Sequence, residues 1–126
     1  MPRRIFVAFA PKDADARDWL VAHFARAHSA YELTGLAADG PWDEEWKTRC
    51  RQHIGACSGM IALVSRHTGA ARGARWQMEC ASEAGKPILV VRVHAGDKCR
   101  IPPELAGCTV IDWTWSGIEA FLDGRG

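Results

Sequence analysis

The chain has 126 residues, enough for one domain whose core needs neither disulfide nor metal. Sixteen Lys and Arg against fifteen Asp and Glu leave a formal charge of +1, so no basic surplus argues for nucleic acid or an anionic membrane. The five Cys, at 50, 57, 80, 99 and 108, are odd in number and form no Cys-x-x-Cys pair; they read as reduced, mostly buried thiols of a cytoplasmic protein. Arg3-Arg4 precedes an apolar run, Ile5 to Ala10, that is too short for a signal peptide or a membrane span. Cys50 and His53 share a helical face, yet no further ligand completes a metal site. The expectation is a single domain over residues 1–126.

In chain order, Arg4 to Ala10 is a near-continuous apolar strand of the kind buried on both faces. After Pro11, Asp13 or Asp15 can cap a helix with the inward stripe Ala16, Leu20, Phe24 and Ala27. A short strand, Tyr31 to Leu36, leads to the turn Asp39-Gly40-Pro41. The second helix opens with Asp43, Glu44 and Glu45 and carries Lys47, Arg49 and Arg51 later, which suits its dipole. Its buried stripe is Trp42, Trp46, Cys50, Ile54 and Cys57. Gly59 to Ser65 is the third strand, followed by a Gly/Arg-rich loop and a helix around Gln77. Lys86 to Val93 is the fourth strand, Thr109 to Asp112 a short fifth, and Ser116 to Leu122 a terminal helix.

Gln77 is the residue that asks for an explanation. At about 100° per residue, Gly73, Trp76, Cys80, Ala81 and Ala84 fall on one apolar arc. Gln77 lies about 35° from its centre, Glu79 about 125° and Glu83 about 85°. The uncharged amide therefore points inward while both carboxylates point out. A buried amide needs a hydrogen-bond partner or a ligand.

Strand–helix alternation predicts a parallel sheet with helices on both faces, and five strands in so short a chain favour the flavodoxin-like order 2-1-3-4-5. Ligands of such α/β folds bind beyond the carboxyl ends of the strands, where the strand order reverses. Here those ends are Phe9-Ala10, the loop from Ala37 to Trp42, and Ser65 to Thr68. The Gln77 helix starts just after the last of these.

Arg4-Ile-Phe-Val-Ala-Phe-Ala10, Pro41-Trp-Asp-Glu-Glu-Trp-Lys47, Ile61-Ala-Leu-Val-Ser65 with Thr68, and Trp76-x-x-x-x-Ala81 running to Gly85-Lys-Pro-Ile88 resemble the TIR-like domains of Thoeris anti-phage systems. The resemblance spans essentially the whole chain and implies an NAD-cleaving enzyme. Such enzymes break the nicotinamide–ribose bond and turn the ADP-ribose part into a signal, often cyclic, that a separate effector reads. NAD would be a substrate, no cofactor is implied, and self-association is common in the family. The family's catalytic Glu stands four residues before the helix Ala and nine before the Lys of Lys-Pro; counting back from Ala81 and Lys86 lands on Gln77 both times, and Glu79 fails both counts. A second departure is Gly73, where many such enzymes carry an aromatic residue.

The carboxylate matters because the departing nicotinamide is already cationic and needs no general acid, while the ribose gains oxocarbenium character. A negative charge beside the sugar stabilises that state. Two unit charges about 4 Å apart at an effective dielectric of about 20 attract by about 4 kcal/mol, up to about a thousand-fold in rate. Gln keeps the shape and loses the charge. The chain then reads as an inactivated form, a Glu-to-Gln exchange made to hold substrate intact or else a naturally degenerate copy.

Each remaining candidate has a plain rival. Phe9 and Ala10 should contact the nucleotide by resemblance, or be core. Lys12 and Asp13 reach ribose or phosphate, or are a solvated Lys and a helix cap. Asp39 and Trp42 belong to the loop expected to close over the site, with Trp42 alternatively a hydrophobic staple. Ser65 and Thr68 face the sugar or are ordinary loop residues. Arg72 and Arg75 pair with pyrophosphate, being misplaced for the dipole of the helix they begin. Trp76 or Trp42 supplies the aromatic contact missing at Gly73. A non-catalytic TIR adaptor and a nucleoside deoxyribosyltransferase-like enzyme are the competing functions. A phosphoacceptor receiver is set aside because Ser65 stands where it would need Asp, and the five His show no partner for a hydrolase triad.

Overall fold

In the computed structural model, residues 3–27, 31–35, 43–94, 96 and 99–124 are described, together with the backbone but not the side chain of Ala27. Asp39 and Trp42 lie outside the described residues, as does the rim loop they were expected to form. Five parallel strands, β1 (Arg3–Ala8), β2 (Tyr31–Thr34), β3 (Gly59–Val64), β4 (Ile88–Arg92) and β5 (Thr109–Asp112), form one sheet in the order β2-β1-β3-β4-β5. The helices are α1 (Ala14–Ala27), α2 (Glu44–Ala56), α3 (Arg72–Glu83) and α4 (Trp115–Leu122). This is the α/β order that the alternation predicts.

The central strand β3 is buried along its whole length, because helices cover both sheet faces and its alternating residues enter two separate cores. Phe6, Ala8, Met60, Ala62 and Val64 pack with Ile54 of α2 and with Ala74, Met78 and Ala81 of α3. Ile5, Val7, Ile61 and Leu63 pack with Leu20 and Phe24 of α1 and with Ile118 and Leu122 of α4. The expected stripe of α1 holds at Leu20 and Phe24, while Ala16 is only partly buried.

Local chemistry sets the helix ends. Asp43 caps α2, its carboxylate accepting from the Trp46 N–H at 2.8 Å. At the other end of α3, Gly85 takes φ +69°, and the Lys86 N–H bonds back to the Ala81 carbonyl at 3.0 Å. That left-handed closure turns the chain sharply into β4 and favours Gly at this position.

None of the five Cys forms a disulfide. Only Cys50 and Cys57 are fully buried, whereas Cys80, Cys99 and Cys108 are partly exposed, which corrects the expectation of mostly buried thiols. Among the described residues, no helix is long and apolar enough to cross a membrane.

Candidate functional site

Strand order reverses between β1 and β3, and a buried polar network joins their carboxyl ends. Beyond β1, Phe9 and Ala10 are buried in the core, and a short 3-10 turn, Pro11–Asp13, is closed by the Asp13 N–H donating to the Ala10 carbonyl at 2.8 Å. Asp13 is 5% exposed and accepts from the Ser65 hydroxyl at 2.6 Å. Ser65 in turn receives the His67 N–H on its Oγ at 3.1 Å, while its own N–H donates to Thr68 Oγ1 at 2.9 Å. The helix-cap reading of Asp13 is thereby corrected: its carboxylate reaches across to the end of β3. A carboxylate this deep is stable only with such partners. Among the described residues no imidazole takes the Ser65 proton, since His67 contributes its backbone, so the network orients groups and does not form a hydrolase triad. Arg17 lies over the Phe9 ring at 4.6 Å, a contact across one turn of chain that sequence reading passed over.

On the opposite face of the sheet, α3 buries Gly73, Ala74, Gln77, Met78 and Ala81. Its inward arc is thus turned by about 70° from the expected one: Trp76 and Cys80 are half-buried and Ala84 is exposed. Ala74 and Met78 were missed because Trp76 and Cys80 carried more apolar weight on the wheel. Gln77 falls inside either arc and is 1% exposed. Its amide donates to Cys50 Sγ of α2 at 3.5 Å. Burial pushes the Cys50 thiol pKa up, against smaller lowering effects of the Gln77 hydrogen bond and the Arg49 charge, so at neutral pH a neutral thiol faces the amide. Nearby Cys80 is pushed up to about 11, chiefly by burial. Trp76 tilts against Trp46 at 5.5 Å, and Arg51 sits over the Trp76 ring at 5.1 Å.

The β3–α3 turn carries the last group of candidates. Thr68 is fully buried. Arg75 donates to the Gly69 carbonyl at 3.2 Å and to Glu104 at 2.8 and 3.4 Å, a two-pronged ion pair with the loop before β5. Burial works to raise the Glu104 pKa, but the hydrogen bonds from Arg75 and from its own backbone, with the Arg75 charge, outweigh it and leave the carboxyl below its ordinary value. Arg75 and Ser65 line a cavity of about 310 Å³ with Arg66, Arg100 and Pro102. Gln77 does not line it. Glu104 and Arg100 had no signal in the sequence, since a Pro-containing loop gives no periodicity from which to place them.

The fold thus draws Asp13, Ser65 and Thr68 into one bonded network, puts Arg75 beside it, and sets Gln77 against α2. Residues 5–123 match the TIR domain family. The chain is a TIR domain. No curated protein matches the sequence. Among solved structures, the TIR domain is similar to that of the Toll-related receptor TRR-2 of Hydra magnipapillata, with TM-score 0.67, 15% identity, and coverage of 96% of this chain and 92% of that one. It is also similar to the CMP N-glycosidase BcmB of Clostridium botulinum, with TM-score 0.57, 15% identity and 97% coverage of both chains. At such identities these likenesses show the shared fold.

Proposed function

We propose that this TIR domain is an NAD-processing enzyme of the Thoeris anti-phage type, acting in the cytoplasm and carried here in a form that Gln77 renders inactive. The observation that supports this most is the burial of Gln77: a neutral amide at 1% exposure on the helix that follows the switch-point strand, in the place that spacing from Ala81 and Lys86 assigns to a catalytic Glu. Asp13, Ser65 and Thr68 supply the polar rim on which a ribose or phosphate group would be oriented, and Asp39 and Trp42 belong to the segment that would close over it. With a carboxylate at position 77, the ribose would be stabilised as its bond to nicotinamide lengthens, and water or a hydroxyl of the same nucleotide would take nicotinamide's place. The second outcome gives a cyclic ADP-ribose product, a signal for a separate effector. Self-association would complete the assembly.

A second reading is an N-glycosidase acting on nucleotides or nucleosides. It draws on the shared fold with the CMP N-glycosidase and needs the same carboxylate next to a different leaving base.

The test is product analysis of the chain and its Gln77→Glu variant, each incubated with NAD and, separately, with CMP. Nicotinamide release by Gln77→Glu should exceed that of the unchanged chain by about a hundredfold to a thousandfold. It should rise with pH as the new buried carboxyl ionises, because burial raises its pKa. Equal rates in the two proteins, with both folded by circular dichroism, reject the assignment of position 77. Cytosine release in place of nicotinamide release selects the second reading. A folded Gln77→Glu protein inert toward both substrates leaves a non-catalytic adaptor.

A further inference from the structure

The rim cavity between the β3–α3 turn and the loop before β5 carries a charge pattern that the proposed cleavage does not use. Three arginines from three separate segments, Arg66, Arg75 and Arg100, line it, together with Gly69 and Pro102. Across the whole chain basic and acidic residues nearly cancel, so this concentration is local. Arg75 is already held by Glu104 at 2.8 Å. Arg66 and Arg100 are exposed and make no hydrogen bond or ion pair among the described residues. Gathering three like charges around one concavity is unfavourable unless something negative enters it.

The backbone adds to the asymmetry. The helix α3, which sends Arg75 to the cavity wall, has no acidic residue in its first turn and is preceded by Ala71, which has no side chain able to cap it. Its first turn instead carries Arg72 and Arg75, cations at the positive end of a helix dipole, the reverse of the favoured arrangement. An anion in the cavity would meet two guanidinium groups, those of Arg66 and Arg100, that no described residue engages.

We infer that this cavity is a phosphoryl-binding site, with Arg66 and Arg100 as the groups that grip a phosphate or diphosphate and Arg75, fixed by Glu104, as the wall that positions it. Its volume of about 310 Å³ stands at the low end for small-molecule sites, about 300 Å³ and above. Ser65 lines the cavity and also donates to Asp13, so the cavity adjoins the network at the strand switch point. A nucleotide bound there could set its phosphates among the arginines and its sugar toward the network. That extension rests on the proposed function; the anion site does not.

The test is calorimetric titration of the whole chain with inorganic pyrophosphate and with ADP-ribose at low salt. The comparison is with an Arg66→Gln/Arg100→Gln double variant and with Arg26→Gln in the last turn of α1, away from the cavity, as a charge control. Both exchanged arginines are exposed, so the double variant should keep the melting temperature of the parent. Affinity for both probes should fall about tenfold or more in the double variant and stay within about twofold in Arg26→Gln. Tighter binding of ADP-ribose assigns the anion to a nucleotide; equal binding assigns it to free phosphate. No binding by the unchanged chain, or equal affinity in chain and double variant, overturns the inference. Because binding is read without turnover, nicotinamide release by Gln77→Glu together with anion binding indifferent to Arg66 and Arg100 would remove this inference and keep the proposed activity. Arginine-dependent anion binding by a protein whose Gln77→Glu form is inert would do the opposite.

Discussion

The two faces of the sheet are built on different terms. Under α1 and α4 an apolar core runs from Ile5 and Val7 through Leu20 and Phe24 to Ile118 and Leu122. It ends in an aromatic stack in which Trp19 lies parallel to Trp113 at 5.2 Å and His23 lies on Trp115 at 3.9 Å. Under α2 and α3 the buried side chains include Cys50 and Cys57 and close around an amide, Gln77 against Cys50. The bond to sulfur is not the only contact this amide makes. One face is therefore built for cohesion, and the other keeps a polar group that cohesion alone would have replaced.

The largest loss is expected on the apolar face. Phe24→Ala should lower unfolding free energy by about 3–5 kcal/mol, because a 1% exposed ring leaves both a lost transfer energy and a cavity. Urea denaturation measures this, and a loss below about 1 kcal/mol would deny that face its stabilising role.

Position 77 sharpens the contrast. Gln77→Met keeps the volume but removes the hydrogen bonds of the amide, and should lose about 1–2 kcal/mol. Gln77→Glu should lose about 2–3 kcal/mol at neutral pH. The sign follows from linkage. Burial raises the folded pKa of the new carboxyl, so the folded state holds its proton more tightly, and stability falls as pH rises above the unfolded value of about 4.3. Melts across this range should show the gap between variant and parent narrowing in acid.

At the rim, Ser65→Ala removes the donor at 2.6 Å from Asp13 and should cost about 1–3 kcal/mol, because a 5% exposed carboxylate is left short of a partner. A loss under about 0.5 kcal/mol would mean that solvent already serves Asp13. The smallest effect belongs to Arg75→Gln, about 0.5–1 kcal/mol, since both members of its ion pair are partly exposed. The folded Glu104 pKa lies below the ordinary 4.5, so the pair stabilises above that pH and its contribution vanishes as pH falls through the depressed value. Parent and variant should differ at neutral pH and converge in acid, once pH has fallen through the depressed Glu104 value.

Much of the candidate site was legible residue by residue. Asp13, Ser65, Thr68 and Gln77, the buried polar and charged side chains among the described residues, were all singled out from the sequence. What was not legible was who meets whom. Asp13 looked like a cap for the next helix and turned out to serve a strand end 52 residues away. The wheel for α3 chose Trp76 over Met78, because a wheel weighs hydrophobicity without knowing that Trp46 and Arg51 hold Trp76 at the helix edge. Arg100 and Glu104 stand in a loop without period, where only folding back onto the β3–α3 turn gives them a place.

By itself, then, the sequence determined the strands, the helices and the inward aim of Gln77, which can be read locally along the chain, and the parallel order, which follows from the alternation of strands and helices. Tertiary structure alone decided the Asp13–Ser65 bond, the Arg75–Glu104 pair and the arginine-lined cavity. Each joins segments that lie far apart along the chain, and only strand order and helix packing bring their side chains within reach.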